Sequence, residues 1–263
     1  MVFRALVLLA LTVAAQWSGA QTVTFTVAYE DKAQPPYYMA EGSGVPDELP
    51  GVAVEMVQML EAKIPNLKVR LVRYPWKRCL DQLEKGAVDA IFNASHLKER
   101  ERIGAYPMKA GAVDPSRRMT TIAYSLYTLP STRLTWDGAR FGNADNAIFG
   151  APLGYSIVKD LREKRVELQE TMSSDALLKQ LLAGRIHAAV MQDVTADALI
   201  ANDPARLGII RKHELPVASK PYYLMLSLAF QARHPELAER IWNEIGIMRE
   251  TVLPRLAPKY RHG

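Results

Sequence analysis

Five charged residues in a row, Lys98-Glu99-Arg100-Glu101-Arg102, follow an apolar run that ends in Phe92-Asn93-Ala94-Ser95 and precede Tyr106-Pro107. Two kinds of chemistry fit such a burst. A guanidinium beyond a strand end offers a planar donor fork to a carboxylate, and the bond strengthens where water is excluded. A solvated helix end with local ion pairs has the same composition. The residues alone leave both open, and leave Arg100 and Arg102 as competitors for the first role. Other chemistries find little support. His96, His187, His213, His234 and His262 are scattered, with no pair at metal-ligand spacing. There is no Gly-x-Ser-x-Gly elbow. Gly150-x-x-x-Gly154 lacks the Lys-[Ser/Thr] of a nucleotide-phosphate loop. No cofactor and no metal is expected.

The elements that position the burst alternate between strand and helix. Thr22 to Tyr29 alternates Thr with Val23, Phe25 and Val27, a period-two strand. The loop after it carries Asp31, Pro35-Pro36 and Tyr37-Tyr38, and ligands of open α/β sheets bind at such strand ends. A helix is expected from Gly51 to Lys63, ended before Pro65, and then a strand through Leu67–Tyr74. Pro75 opens a second helix that carries Trp76 and stops at Gly86, and Ala87–Phe92 is a third, buried strand. This order predicts a parallel α/β layer.

The unit recurs. Residues 80–92 can be laid on 178–190 with Leu80 over Leu178, Gln82 over Gln180, Leu83 over Leu181 and Gly86 over Gly184. Ahead of the second copy lie a strand near Ile148, a turn at Gly154-Tyr155-Ser156 that opens a helix, and Ser173-Ser174-Asp175, suited to cap the next helix. Two similar units imply two lobes. The extended segments 117–129 and 219–230 bracket the second unit as two crossings between lobes. A last helix with Leu237, Ile241, Ile245 and Met248 on one face is expected to return to the first lobe.

The first 20 residues have the layout of a cleavable secretory signal: an early Arg4, an apolar stretch from Ala5 to Ala15 and a small-residue site at Ser18-Gly19-Ala20. Cleavage there leaves 243 of the 263 residues and lowers the net charge from +5 to +4. The remaining basic residues are interspersed with acids, which argues against a nucleic-acid partner. Cys79 is the only cysteine, so no intramolecular disulfide forms. Its helix-patterned apolar neighbours mark it as a small buried hydrophobe, not a reactive thiol.

Over nearly the whole mature chain the sequence resembles the bacterial extracellular solute-binding proteins of family 3, receptors of polar amino-acid uptake. The resemblance rests on Gly51–Val57, on Trp76–Phe92, on Leu97–Pro107, on Gly150–Ser156 and on Pro221–Phe230. It implies an α/β, two-lobed, periplasmic-binding-protein-like fold of type II, with lobes joined by two crossover strands. The implied division is 1–20 signal peptide, 21–122 lobe 1, 123–220 lobe 2 and 221–263 return to lobe 1. It also implies a small polar ligand, an inner-membrane ABC permease as partner, a periplasmic location, a monomer and no catalysis. The implied ligand-binding set is Asp31, Tyr37, Tyr38, Trp76, Asn93, Ser95, Arg100, Gly154, Tyr155, Ser156, Gln192 and Asp193. In it Arg100 grips a carboxylate, Ser95 supplies a hydroxyl, Trp76 packs on the ligand, and the turn at Gly154 offers N–H groups to an anion.

The sequence also departs from the family pattern. Leu97 stands where a threonine is usual, and one residue is missing between Asp89 and Arg100, which keeps Arg102 in play. The aspartate that meets an ammonium in the second lobe falls on Gln192, with Asp193 one place on, and a strand aspartate is His187. A buried ammonium without a counter-charge is costly. A signalling receptor without a permease, or a small dehydratase-like enzyme on the same scaffold, remain the other expectations.

Overall fold

The computed structural model describes residues 21–260, so the proposed signal segment lies outside the described residues. The first unit contains β1 (Val23–Glu30), α1 (Val52–Gln58), α2 (Leu60–Lys63), β2 (Leu67–Tyr74), α3 (Trp76–Glu84) and β3 (Ala90–Ser95). The expected single helix over 51–63 is broken at Met59 into α1 and α2. Then β4 (Thr120–Thr128) crosses to the second unit, which holds β5 (Ile148–Pro152), α4 (Ile157–Glu163), β6 (Glu167–Thr171), α5 (Ser174–Leu182), β7 (Ala188–Gln192) and α6 (Asp193–Ala201). The chain returns along β8 (Ala218–Ser227) into α7 (Leu228–Arg233) and the long α8 (Pro235–Thr251).

One sheet runs β6-β5-β7-β4-β8-β3-β1-β2, with two-residue strands Gly104–Ala105 on β8 and Arg211–Lys212 on β4. Within each unit the strands are parallel, ordered 2-1-3 in the first and 6-5-7 in the second. The crossing strands β4 and β8 pair antiparallel with each other and with β7 and β3. The internal repeat is therefore a repeat of topology. Both copies are helix, glycine stop and central strand, and Gly86 and Gly184 both have positive φ, at 65° and 67°.

Strands covered on both faces lose the polar alternation of an exposed sheet. Six consecutive residues of β1, Phe25 to Glu30, are buried, and so is all of β3. Under the crossing strands α8 buries Ala238, Ile241, Trp242, Ile245 and Met248, and the Trp242 indole N–H donates to the Leu224 carbonyl at 2.8 Å. The cap expected at Ser173 is present, its Oγ accepting from the Ala176 N–H at 3.2 Å. Ser173→Ala is expected to cost about 1 kcal/mol, measured by urea unfolding, because an orphan N–H of α5 loses its acceptor. Among the described residues no helix is long and apolar enough to cross a membrane.

Candidate functional site

The C-terminal ends of β1 and β3 lie side by side, since Ala28 pairs with Ile91 and both strands run the same way. Each ends in a polar residue that would be solvated on an exposed edge but here is buried: Glu30, 5% exposed, and Ser95, 2%. Between them Asn93 takes φ +55°, a left-handed conformation rare inside a strand, opposite a register shift in β8 between Tyr223 and Met225. After β1 the chain folds back so that Tyr38 covers the strand end. Gly51 makes that fold possible: its φ is 120°, and a Cβ there would lie 2.3 Å from the Tyr37 carbonyl oxygen.

The charged burst forms a 3-10 turn over Lys98–Arg102. Arg100 is buried, and its Nη1 donates to the Ser95 carbonyl at 2.8 Å and to Ser95 Oγ at 3.3 Å. Its Nη2 reaches across to the Gly154 carbonyl at 3.0 Å, and its guanidinium lies 5.6 Å from the Trp76 ring. Arg102 points outward to Glu84 at 2.9 Å. The geometry thus separates the two arginines.

The second unit meets these groups directly. Ser95 Oγ donates to Ser156 Oγ at 2.7 Å, and the Tyr155 hydroxyl donates to Glu30 Oε2. The same carboxylate oxygen accepts from Gln34 Nε2 at 2.6 Å and from the Tyr38 hydroxyl at 3.2 Å. Nearer the hinge, the Tyr124 and Tyr222 hydroxyls share a hydrogen bond, and Gln192 Nε2 donates to Tyr222 at 3.0 Å. Glu30, Gln34, Tyr38, Trp76, Asn93, Ser95, Arg100, Tyr124, Tyr155, Ser156, Gln192 and Tyr222 close around a void of about 10 Å³, near the lower limit for one water. Outside it Lys159 pairs with Glu99, and Thr195 Oγ1 donates to the Pro35 carbonyl at 3.2 Å, so the two units are drawn together around the site.

Burial dominates the electrostatics. It pushes the Glu30 carboxyl up to about 7, against the hydrogen bonds from Tyr155, Gln34 and Tyr38, which pull it down. The Tyr38, Tyr155 and Tyr222 hydroxyls are raised well above the usual phenol range by burial, so they stay neutral. Among the described residues neither Arg100 nor the Glu30 carboxylate takes part in an ion pair: the first bonds to Ser95 and Gly154, the second to Gln34, Tyr38 and Tyr155. Several buried atoms at the void also lack a hydrogen-bond partner: Gln34 Oε1, Trp76 Nε1, both amide atoms of Asn93, and Gln192 Oε1.

Of the residues singled out from sequence, Tyr38, Trp76, Asn93, Ser95, Arg100, Tyr155, Ser156 and Gln192 line the void, and Gly154 contributes its carbonyl. Three do not. Tyr37 turns the other way, into a groove with Pro35, Pro36 and Tyr260. Asp31 lies beside the site with Lys32 and Pro75. Asp193 begins α6, where its Oδ1 accepts from the Val194 N–H at 2.7 Å and its carboxylate faces Lys212 at 3.8 Å. At the Gly154 turn two N–H groups are already taken, that of Gly154 by Glu170 at 3.0 Å and that of Tyr155 by the Pro152 carbonyl at 3.2 Å. Glu30, Gln34, Tyr124 and Tyr222 escaped the sequence reading. The rule that ligands sit at strand ends would have reached Glu30; nothing in the local pattern distinguishes the two hinge tyrosines.

The fold is that of several solved two-lobed proteins. One is the substrate-binding protein of an amino-acid ABC transporter, with TM-score 0.71, 12% identity, and 92% of this chain aligned to 100% of that one. A histidine kinase sensor domain similar to periplasmic binding proteins gives 0.69 and 18%, with 91% and 96% covered. The GluR0 ligand-binding core from Nostoc punctiforme, in complex with L-glutamate, gives 0.69 and 14%, with 91% and 100% covered. No curated protein matches the sequence. Residues 25–109, which supply Glu30, Trp76, Ser95 and Arg100, match the bacterial extracellular solute-binding proteins, family 3. The chain thus has the type II, two-lobed periplasmic-binding-protein-like fold, and residues 25–109 of its first unit match the family-3 model.

Proposed function

We propose that this protein is a periplasmic receptor that captures a small polar, carboxylate-bearing solute between its lobes and delivers it, as a monomer, to an ABC-type permease. The lobes divide within the crossing strands, near 122/123 and 220/221. One observation carries the reading: a void between the lobes where a buried guanidinium without a carboxylate partner meets buried, unpartnered amide and indole atoms from both sides. Unsatisfied buried polar atoms are costly in a folded protein, and a ligand that bonds to them recovers that cost. Opening exposes Arg100 as the Gly154 contact breaks; a bound solute then bridges the lobes and shifts the hinge equilibrium to a closed form with the ligand inside. Among the described residues that line the site none is paired as nucleophile and base, which favours binding over turnover.

The test is thermal unfolding of the purified protein against amino acids, hydroxy and keto acids, polyamines and short peptides. A true ligand at about 100 times its dissociation constant stabilises by about 2.7 kcal/mol, a shift of several degrees. If nothing in the panel shifts the transition, the receptor reading falls. Consumption of a compound that binds would move the reading to the dehydratase-like enzyme. The likeness to a kinase sensor domain favours one second reading, a receptor that signals on closure. Co-purification with a membrane kinase instead of a permease would select it.

A further inference from the structure

We propose that the ligand is a small carboxylate whose remaining polar groups are uncharged, a hydroxy or keto acid and not an α-amino acid, and that Glu30 meets it in its protonated form, as a hydrogen-bond donor. This rests on the receptor reading and narrows it.

The charges around the void argue for it. Arg100 supplies a fixed positive charge, and only three of its five N–H donors are used, two on Ser95 and one on Gly154. The second lobe brings no acid to the void: Gln192 stands there, neutral, with Nε2 committed to Tyr222 and Oε1 unpartnered, while Asp193 faces Lys212 outside. Glu30 is the one acid among the described residues that line it. Every element packed on Glu30 presents a neutral group, an acid or a cation turned elsewhere. Its own strand and loop give Tyr29, Asp31, Gln34 and Tyr38. From α3 come Trp76 and the Cys79 thiol, which burial holds neutral. Tyr155 comes from the second lobe. On β2 the Arg73 guanidinium donates to the carbonyls of Glu30, Gly44 and Ala40, not to the carboxylate.

The one cation on the void, Arg100, is held by the Ser95 and Gly154 oxygens and makes no ion pair with this carboxylate, so burial dominates and favours the neutral form. Three donors converge on Oε2, so the proton sits on Oε1 and can be donated to a ligand. The void then offers donors from Arg100, Glu30, Trp76 and Asn93, and acceptors at Gln34, Asn93 and Gln192. A carboxylate with hydroxyl or carbonyl groups satisfies both sets. An ammonium meets no ionised acid.

Calorimetric titration tests this with matched sets: an α-amino acid, the α-hydroxy acid and α-keto acid of the same side chain, and the corresponding amine. The hydroxy or keto acids are expected to bind at least tenfold more tightly than the amino acid, and the amine not at all. At pH 8, where the ligand-free carboxyl is mostly ionised, titrations in two buffers of different ionisation enthalpy are expected to show proton uptake on binding, an uptake absent in Glu30→Gln. An amino acid that binds more tightly than its hydroxy acid, or binding without proton uptake, overturns the inference and leaves the receptor reading standing. Silence across the whole panel overturns both.

Discussion

Arg100→Ala abolishes ligand-induced stabilisation and weakens binding by about 100-fold or more, whereas Arg102→Ala leaves affinity within twofold. The difference follows from placement. Arg102 is exposed and paired with Glu84, and a surface ion pair contributes about 0–1 kcal/mol. Arg100 is 6% exposed, lies against Trp76, and holds the only positive charge that lines the void among the described residues. A charge-assisted bond to a buried carboxylate contributes about 2–5 kcal/mol when one partner is deleted. Arg100→Lys retains the charge but loses the fork, so it restores only part of the affinity. Calorimetry on the three variants with a ligand from the solute panel decides the point. If Arg100→Ala binds like the parent protein, the arginine is a clamp between Ser95 and Gly154 and no ligand group meets it.

What the sequence disclosed about this site depended on the range of the interaction. The alternation of strand and helix, the matching of 80–92 on 178–190, and the return of α8 all follow from patterns a few residues long. They appear as the two parallel triplets and the antiparallel crossing pair. The Arg100/Arg102 question could not be settled that way. The turn is 3-10, with about three residues per turn, so residues two apart point to different sides, and which side meets the second lobe depends on Gly154, 54 residues on. Gln192 and Asp193 are separated by a similar local event: β7 ends at the first and α6 begins at the second, so the chain turns between them. Glu30 was missed for a different reason. An acid closing a strand ordinarily reaches water, and its burial here is caused by Tyr38 folding back and Tyr155 arriving from residue 155. Neither contact leaves a trace near residue 30.

The buried Glu30 also makes a prediction about the ligand-free protein. Its carboxyl is raised by burial from the ordinary value of 4.5 to about 7. A group raised on folding contributes stability that is fully present below about pH 4.5 and is lost as pH rises through about 7. The span corresponds to about 3 kcal/mol, or on the order of 6–10 °C for a chain of this length. Other groups titrate as well: burial lowers His213, which adds stability as pH rises, and hydrogen-bonded acids such as Asp114 act at lower pH. The gap between the parent protein and Glu30→Gln removes them. Glutamine still accepts from Tyr155, Tyr38 and Gln34 and cannot ionise. The two proteins are therefore expected to unfold at similar temperatures at pH 4.5, with Glu30→Gln about 3 kcal/mol more stable at pH 8. A gap that stays flat across that range means Glu30 is solvated without ligand, so that the lobes stand open in solution. A gap that grows with pH means they rest closed on Glu30 and Tyr155, and a solute must displace a contact the protein already makes with itself.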